Sequence, residues 1–145
     1  DTYWEANVDL TATIPRLNLY DSDWPIWTYQ QQLPPAKFVH NESDRQGSAS
    51  ESTVSAGCIV AGEINRSLMF SGGLVHSHAQ VDWSVLLPEV DIGRGARLSR
   101  CIIGHGVQIP AGMVIGEDPV EDARRFRRTE NGITLVTKQM IEQLG

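Results

Sequence analysis

Apolar residues in the middle of this chain recur at a step of six. Val54 is followed by Val60, Val81 by Leu87, Ile92 by Leu98 and Val107 by Met113. A period of six matches neither the 3.6 of an amphipathic helix nor the alternation of a half-buried strand. It suits a parallel β-helix, in which each unit is one short flat strand plus a corner and stacked units share a continuous core. Small residues crowd the positions between, among them Gly57, Gly62, Gly72, Gly73, Gly93, Gly95, Gly104, Gly106 and Gly112. They let the backbone turn where a side chain would clash. The beat slips to five between Leu87 and Ile92 and drifts between Ile64 and Val75. The pattern predicts a mainly β chain, with a hexapeptide-repeat solenoid over 53–116.

The flanks carry different signals. Tyr3, Trp4, Val8 and Leu10 fall at near-helical spacing, with Asp1-Thr2 as a cap and Pro15 as a stop. Tyr20, Trp24, Trp27 and Tyr29 follow, too many aromatics for an isolated loop. The prolines of Leu33-Pro34-Pro35-Ala36-Lys37-Phe38-Val39 favour extended chain. Residues 1–39 therefore read as a helix and an aromatic-rich connecting arm. Residues 40–52 lack apolar periodicity and read as a polar surface loop. The span 117–145 reads as a C-terminal cap: Asp118-Pro119 breaks the repeat, Asn131-Gly132 marks a turn, Ile133–Thr137 a short strand and Lys138–Leu144 a helix. Such a cap closes the open end of a solenoid.

Composition narrows the function classes. Twelve basic against eighteen acidic residues give a net charge of −6 over 145 residues, which argues against nucleic acid as a partner. No run of eighteen apolar residues and no signal pattern is present, so neither a membrane nor secretion is expected. Cys58 and Cys101 sit inside the repeat beside Ile59 and Ile102, as buried reduced thiols rather than a disulfide. A cytoplasmic protein fits.

Three groups of residues invite chemistry. Gly93-Arg94-Gly95-Ala96-Arg97-Leu98 has the look of a nucleotide loop, yet it lies inside the beat and no helix follows to hold phosphate. It reads as a corner. His76-Ser77-His78 places two imidazoles on one strand face without the third ligand that zinc needs. His76, His78 and His105 are the candidate general bases if the chain is a free-standing hexapeptide acyltransferase. Arg124, Arg125, Arg127 and Arg128, with Lys138, form the one concentrated positive patch. They either pair with Glu117, Asp118, Glu121 and Asp122 or hold a phosphorylated small molecule.

Longer strings carry a resemblance. D-T-Y-W-E-A-N-V-D-L (Asp1–Leu10), W-P-I-W-T-Y (Trp24–Tyr29), L-P-P-A-K-F (Leu33–Phe38) and V-S-A-G-C-I-V-A-G (Val54–Gly62) are joined by L-L-P-E-V (Leu86–Val90). I-P-A-G-M-V-I-G-E-D-P (Ile109–Pro119) and E-D-A-R-R-F-R-R-T-E-N-G-I-T-L-V-T (Glu121–Thr137) follow. Together they resemble the C-terminal portion of the bacterial ADP-glucose pyrophosphorylase (glucose-1-phosphate adenylyltransferase) family. The resemblance implies a left-handed parallel β-helix in a cytoplasmic enzyme of glycogen synthesis. That enzyme makes ADP-glucose and pyrophosphate from ATP and glucose 1-phosphate with magnesium.

Its catalytic domain is N-terminal, so the resemblance implies no catalytic residue, metal ligand or cofactor in these 145 residues, and no activity of the chain alone. It further implies assembly with sister subunits into a homotetramer, contact with the catalytic domain, and a share in a site for a phosphorylated sugar effector. The effector-binding residues implied are Lys138 and His105, each standing where the family usually carries an arginine. Glu142 reverses the charge of a third such position, and Trp27 departs from a common arginine. Trp4, Trp24 and Trp27 are expected to cover a catalytic domain or another subunit.

Overall fold

The structure is a computed structural model describing residues 1–23, 31–41 and 45–144; Trp24, Trp27 and Tyr29 lie outside the described residues. The chain winds as a parallel β-solenoid of about four turns, and each turn lays one short strand on each of three faces. The first face stacks Lys37–Phe38, Ile59–Val60, Leu74–Val75, Asp91–Ile92 and Gln108–Ile109. The second stacks Ser48–Ser50, Glu63–Asn65, Gln80–Asp82, Arg97–Ser99 and Val114–Ile115. The third stacks Thr53–Val54, Leu68–Met69, Val85–Leu86, Cys101–Ile103 and Thr134–Val136, and Arg127–Arg128 adds an antiparallel edge.

The regular coil is seventeen residues long, not three sixes. Ile64, Val81, Leu98 and Ile115 are register partners on the second face, Val75, Ile92 and Ile109 on the first. On the third face Met69, Leu86 and Ile103 take the inward place. The inward beat is therefore five, six, six. Val54 to Val60 and Ile92 to Leu98 are steps between inward strand positions, as expected. Leu86 replaces the predicted Leu87, which packs on the outer side of the third face. Val107 and Met113 stand at corners, and the inward strand residues there are Ile109 and Ile115.

Corners explain both the missing residue and the glycines. Most corners carry one left-handed residue: Glu51, Arg66, Trp83 and Arg100 at one; Gly57, Gly72, Glu89 and Gly106 at the next; His78, Gly95 and Gly112 at the third, where the shorter Ala61–Gly62 corner has none. Non-glycine residues occupy several of these at a cost of about 1 kcal/mol each. Other glycines have a different reason. A Cβ on Gly93 would meet the Ile109 carbonyl and the Ala111 amide of the next coil at 2.6 Å, so no larger side chain fits there. The same contact type recurs at Gly62 against the Ala79 carbonyl.

Ser67, Ser84 and Cys101 are linked in a column inside the coil. Ser67 Oγ accepts from the Ser84 amide at 3.0 Å, and Ser84 Oγ accepts from the Cys101 amide at 3.3 Å. Cys58 and Cys101 are free and buried, as the sequence suggested. Burial raises both thiols, and Cys101 is pushed up to about 12, so both stay protonated at neutral pH.

Pairing begins earlier than the beat. Lys37–Phe38 joins the first face, and the span 40–52, expected as a loop, forms a hairpin of His40–Asn41 with Arg45–Gln46 and then the strand Ser48–Ser50. Its polar sequence is tolerated because Ser48 and Ser50 share one side of the pleat and only Ala49 pairs with the inward Ile64. Helix α1 (Thr2–Asp9) stops well before Pro15. It lays Trp4 and Val8 on the outer side of the third face, against Leu68, Val85 and Ile133. Trp4 Nε1 donates to the Trp83 carbonyl at 2.6 Å, and the Arg100 guanidinium lies 5.3 Å from the Trp4 ring. Trp4 thus covers this chain's own sheet, which corrects the expectation that it would meet another domain.

The far end is closed by α2 (Pro119–Arg125), whose N-terminus is capped by the Asp118 carboxylate, and by α3 (Lys138–Glu142), capped by Thr137. Phe126, Met140 and Ile141 pack on the core. Asp122 is almost fully buried; it accepts from the Gly116 amide at 2.8 Å and pairs with Arg125 at 3.2 Å. Arg125 also donates to the Val114 carbonyl at 2.7 Å. This pair ties α2 to the last coil.

Two stability outcomes follow from this packing. Ile92→Lys buries an unpaired charge among Val75, Ile109 and their neighbours, costing about 4 kcal/mol or more. A thermal melt within two degrees or so of the parent would show that Ile92 does not face the core. Asp122→Ala leaves the Gly116 amide without its acceptor and Arg125 with only the 3.6 Å pairing to Glu121, and should cost about 3 kcal/mol by denaturant titration. A loss below about 1 kcal/mol would mean the pair adds nothing to closure.

Candidate functional site

The register that aligns the core also aligns the outside. Leu74, Asp91 and Gln108 are partners along the outward row of the first face. His76 and Gly93 follow the first two strands, and Pro110 follows the third. Where α3 folds back against the Gln108–Ile109 strand, this row becomes the wall of a depression of about 580 Å³. Ile109, Pro110 and Ile141 give it an apolar floor, and His76, Asp91, Gln108, Lys138 and Glu142 supply its polar groups.

Lys138 is the first residue of α3, placed by the Thr137 hydroxyl, which accepts from the Met140 amide at 3.4 Å. His76 Nε2 lies 2.9 Å from the Asp91 carboxylate. One exposed ammonium therefore lines the same depression as two carboxylates, Asp91 and Glu142. The polar groups of His76, Asp91 and Gln108 were not singled out from sequence as a set. A seventeen-residue register, once known, brings them together; the six-residue beat does not.

His105 lies elsewhere. It sits at the corner between the third and first faces, 3.6 Å from Glu89, and lines a separate hollow of about 350 Å³ with Leu33, Ser71, Gly72 and Pro88. Its neighbour Gly106 lines the Lys138 depression. The two residues implied for effector binding thus flank one corner without sharing a hollow.

The histidine pair also separates. The strand ends at Val75, His76 turns toward Asp91, and His78 takes a left-handed corner with its Nε2 3.3 Å from Arg94. His78 lines a third hollow with Gln46, Glu63 and Gln80. The two imidazoles do not share a strand face, because a corner intervenes. Among the described residues no group of three His, Cys, Asp or Glu side chains is placed to hold a metal. Gly93–Leu98 is the corner expected of it: Gly95 is left-handed, Ile92 and Leu98 point inward, and a strand follows.

The arginine run divides by role. Arg124 pairs with Glu121 at 2.7 Å and Arg125 with Asp122. Glu117 instead meets Arg97 at 3.1 Å, and Asp118 caps α2. Arg127 and Arg128 are exposed on the edge strand, with no ion pair among the described residues.

Residues 34–136 match a family model described as GlmU-like, C-terminal hexapeptide. The chain is 54% identical to a glucose-1-phosphate adenylyltransferase of Rhizobium etli over 145 residues, covering 99% of this chain and 34% of the relative. It is 56% identical to that of Gemmatimonas aurantiaca, with 99% and 35% covered, and 58% identical to that of Paramagnetospirillum magneticum, with 100% and 34% covered. The chain spans about a third of the length of the curated relatives it matches. The three-faced coil and the matched residues coincide: the chain belongs to the GlmU-like C-terminal hexapeptide family and corresponds to the C-terminal part of glucose-1-phosphate adenylyltransferases.

Proposed function

We propose that this chain is the regulatory and assembly portion of a cytoplasmic ADP-glucose-forming enzyme, which joins ATP and glucose 1-phosphate and releases pyrophosphate. The observation that carries the reading is the match itself: more than half of the residues are identical across essentially the whole chain to enzymes of that name. The described residues supply a coil, corners and caps, with no glycine-rich loop opening a helix. Nucleotidyl transfer needs groups that position and neutralise phosphates and hold magnesium, and these belong to the region the relatives carry beyond this match. The purified 145-residue chain should therefore release no pyrophosphate above a protein-free control. Measurable release would overturn the division of labour.

The effector site we assign to the Lys138 depression, with His105 in the adjoining hollow. Lys138 supplies a point charge on a helix start, and the apolar floor of Ile109, Pro110 and Ile141 suits the carbon body of a small molecule. Asp91 and Glu142 oppose a dianion, so a phosphorylated sugar should bind weakly and with strong salt dependence. Tyr3, Ile14 and Tyr20 are more than half exposed, apolar area that suits contact with the remainder of the enzyme and with sister subunits in a homotetramer. In the full-length enzyme, Lys138→Ala should raise the activator concentration for half-maximal response at least about 5-fold, the equivalent of about 1 kcal/mol for a partly exposed charge. An unchanged half-maximal concentration would remove Lys138 from the site.

A further inference from the structure

Helix α1 and the corner formed by Glu51, Arg66 and Trp83 do not close completely against one another. Between them lies a hollow of about 370 Å³ that shares no lining residue with the Lys138 depression. Trp4, Val8 and Ala12 line it from the helix and the turn that follows, and Trp83 lines it from the corner. Trp83 takes a left-handed conformation yet keeps 38% of its surface exposed. Its indole is a wall of this hollow rather than part of the core.

The charges around these walls are unbalanced. Glu5, Asp9 and Glu51 bring carboxylates, and Arg66 is the one cationic side chain among the lining residues. Arg66 is already matched by Glu51 at 2.8 Å. Asp9 accepts only from the Arg16 amide, a neutral donor, at 2.9 Å, and Glu5 has no ion pair among the described residues. The last turn of α1 carries no basic residue, so the partial negative charge of that helix end is uncompensated as well.

The molecule itself shows what such walls hold. The Arg66 guanidinium lies 4.8 Å from the centre of the Trp83 ring, and the Arg100 guanidinium 5.3 Å from that of Trp4. Each indole therefore already attracts a cation to its face. An apolar hollow with a few polar groups converging on it is the usual form of a small-molecule site. Here those groups leave two negative charges unmatched.

We propose that this hollow binds a small aliphatic dication, of the diamine or aminoalkyl-guanidine class. Its methylene chain lies along Trp83, Val8 and Ala12, and its charged heads are matched by Glu5 and Asp9. The same carboxylates repel a phosphorylated ligand, so the hollow and the Lys138 depression select opposite charges. The site stands independently of the effector reading.

The test is calorimetry on the full-length enzyme with agmatine as the probe and pentylurea as its uncharged counterpart. Agmatine should bind saturably, one per chain, and more weakly as salt rises from about 50 to about 300 mM. Pentylurea should bind at least about 10-fold more weakly, because it keeps the chain and loses both charges. Glu5→Gln, at an exposed position of α1, should weaken agmatine about 3-fold or more, the scale of a partly exposed charge contact. Arg66→Asn suits the left-handed corner, removes the resident cation from Trp83 and frees Glu51. It should tighten agmatine about 3-fold or more. A merely structural role for these residues would not move affinity in opposite directions.

Absence of saturable agmatine binding by the parent overturns the site. Parental affinity in Glu5→Gln overturns it too, since the probe would then sit elsewhere on an acidic protein. Pentylurea binding as tightly as agmatine would make the hollow an apolar pocket without selection for charge. Unchanged or weaker binding in a folded Arg66→Asn would remove Trp83 and Glu51 from the site. If that variant does not fold, Glu51→Gln serves instead: it leaves Arg66 unmatched and should weaken agmatine about 3-fold or more, and parental affinity there overturns the proposal.

Discussion

The structure depends on hydrogen bonds between coils, made by strands too short to exist alone. Most strands are two or three residues long, and an isolated pair of such strands is not stable in water. Each coil's amides and carbonyls are satisfied by the coil before and the coil after: Leu74 N to Val90 O at 2.8 Å, Asp91 N to Val107 O at 2.9 Å, His76 N to Ile92 O at 3.0 Å. A one-residue slip inside a strand would turn its inward side chains outward, so length changes are confined to corners: the Ala61–Gly62 corner is two residues shorter than its successors, yet Val60 still pairs with Val75. The core aliphatics, the corner conformations and the tight glycines all answer to this register.

That constraint also produces the surface. Side chains one coil apart stand above one another at strand spacing, so outward residues form rows whether or not they have a shared purpose. Asn65 donates to Asp82 at 3.0 Å in one row. Glu51, Arg66 and Trp83 stack at one corner, with an ion pair of 2.8 Å and a guanidinium 4.8 Å from the indole. Trp4 of α1 extends that stack, which is how the helix is seated. The Lys138 depression arises the same way, from one row of the first face meeting a helix that returns against it.

The sequence showed the parts of this that depend on side-chain type and hid those that depend on register. Inward aliphatics, buried thiols and the Asp118-Pro119 break are local signals, legible one residue at a time. Leu86 against Leu87 is not, because both are leucines and only the coil length decides which points inward. Ser48–Ser50 has the composition of a loop, yet becomes a strand because the Glu63–Asn65 strand offers it a partner. His76 and His78 look alike in sequence, but a left-handed corner sends them to different hollows. Trp4 looked like an interface residue because the sheet that buries it is made by Leu68, Val85 and Ile133, all distant in the chain. The family strings pointed to Lys138 and His105 by position, and could not show that Glu89 lies 3.6 Å from His105 while Asp91 and Glu142 line the same depression as Lys138.

A stacked solenoid is a stiff body, and stiffness decides what kind of regulation it can support. From Val60 onward its interior is packed by fully buried aliphatics, so a small molecule cannot open it without breaking coil-to-coil bonds. What can respond is the periphery added to the coil: α3, the edge strand and its turn, and α1 across the third face. These elements are joined to the body by a few identifiable contacts each, Met140 and Ile141 for α3, Trp4 and Val8 for α1. The body fixes where they sit and keeps them at set distances. A rigid core with separate elements added at its edges confines any rearrangement to those edges, since moving the core would break the bonds between coils.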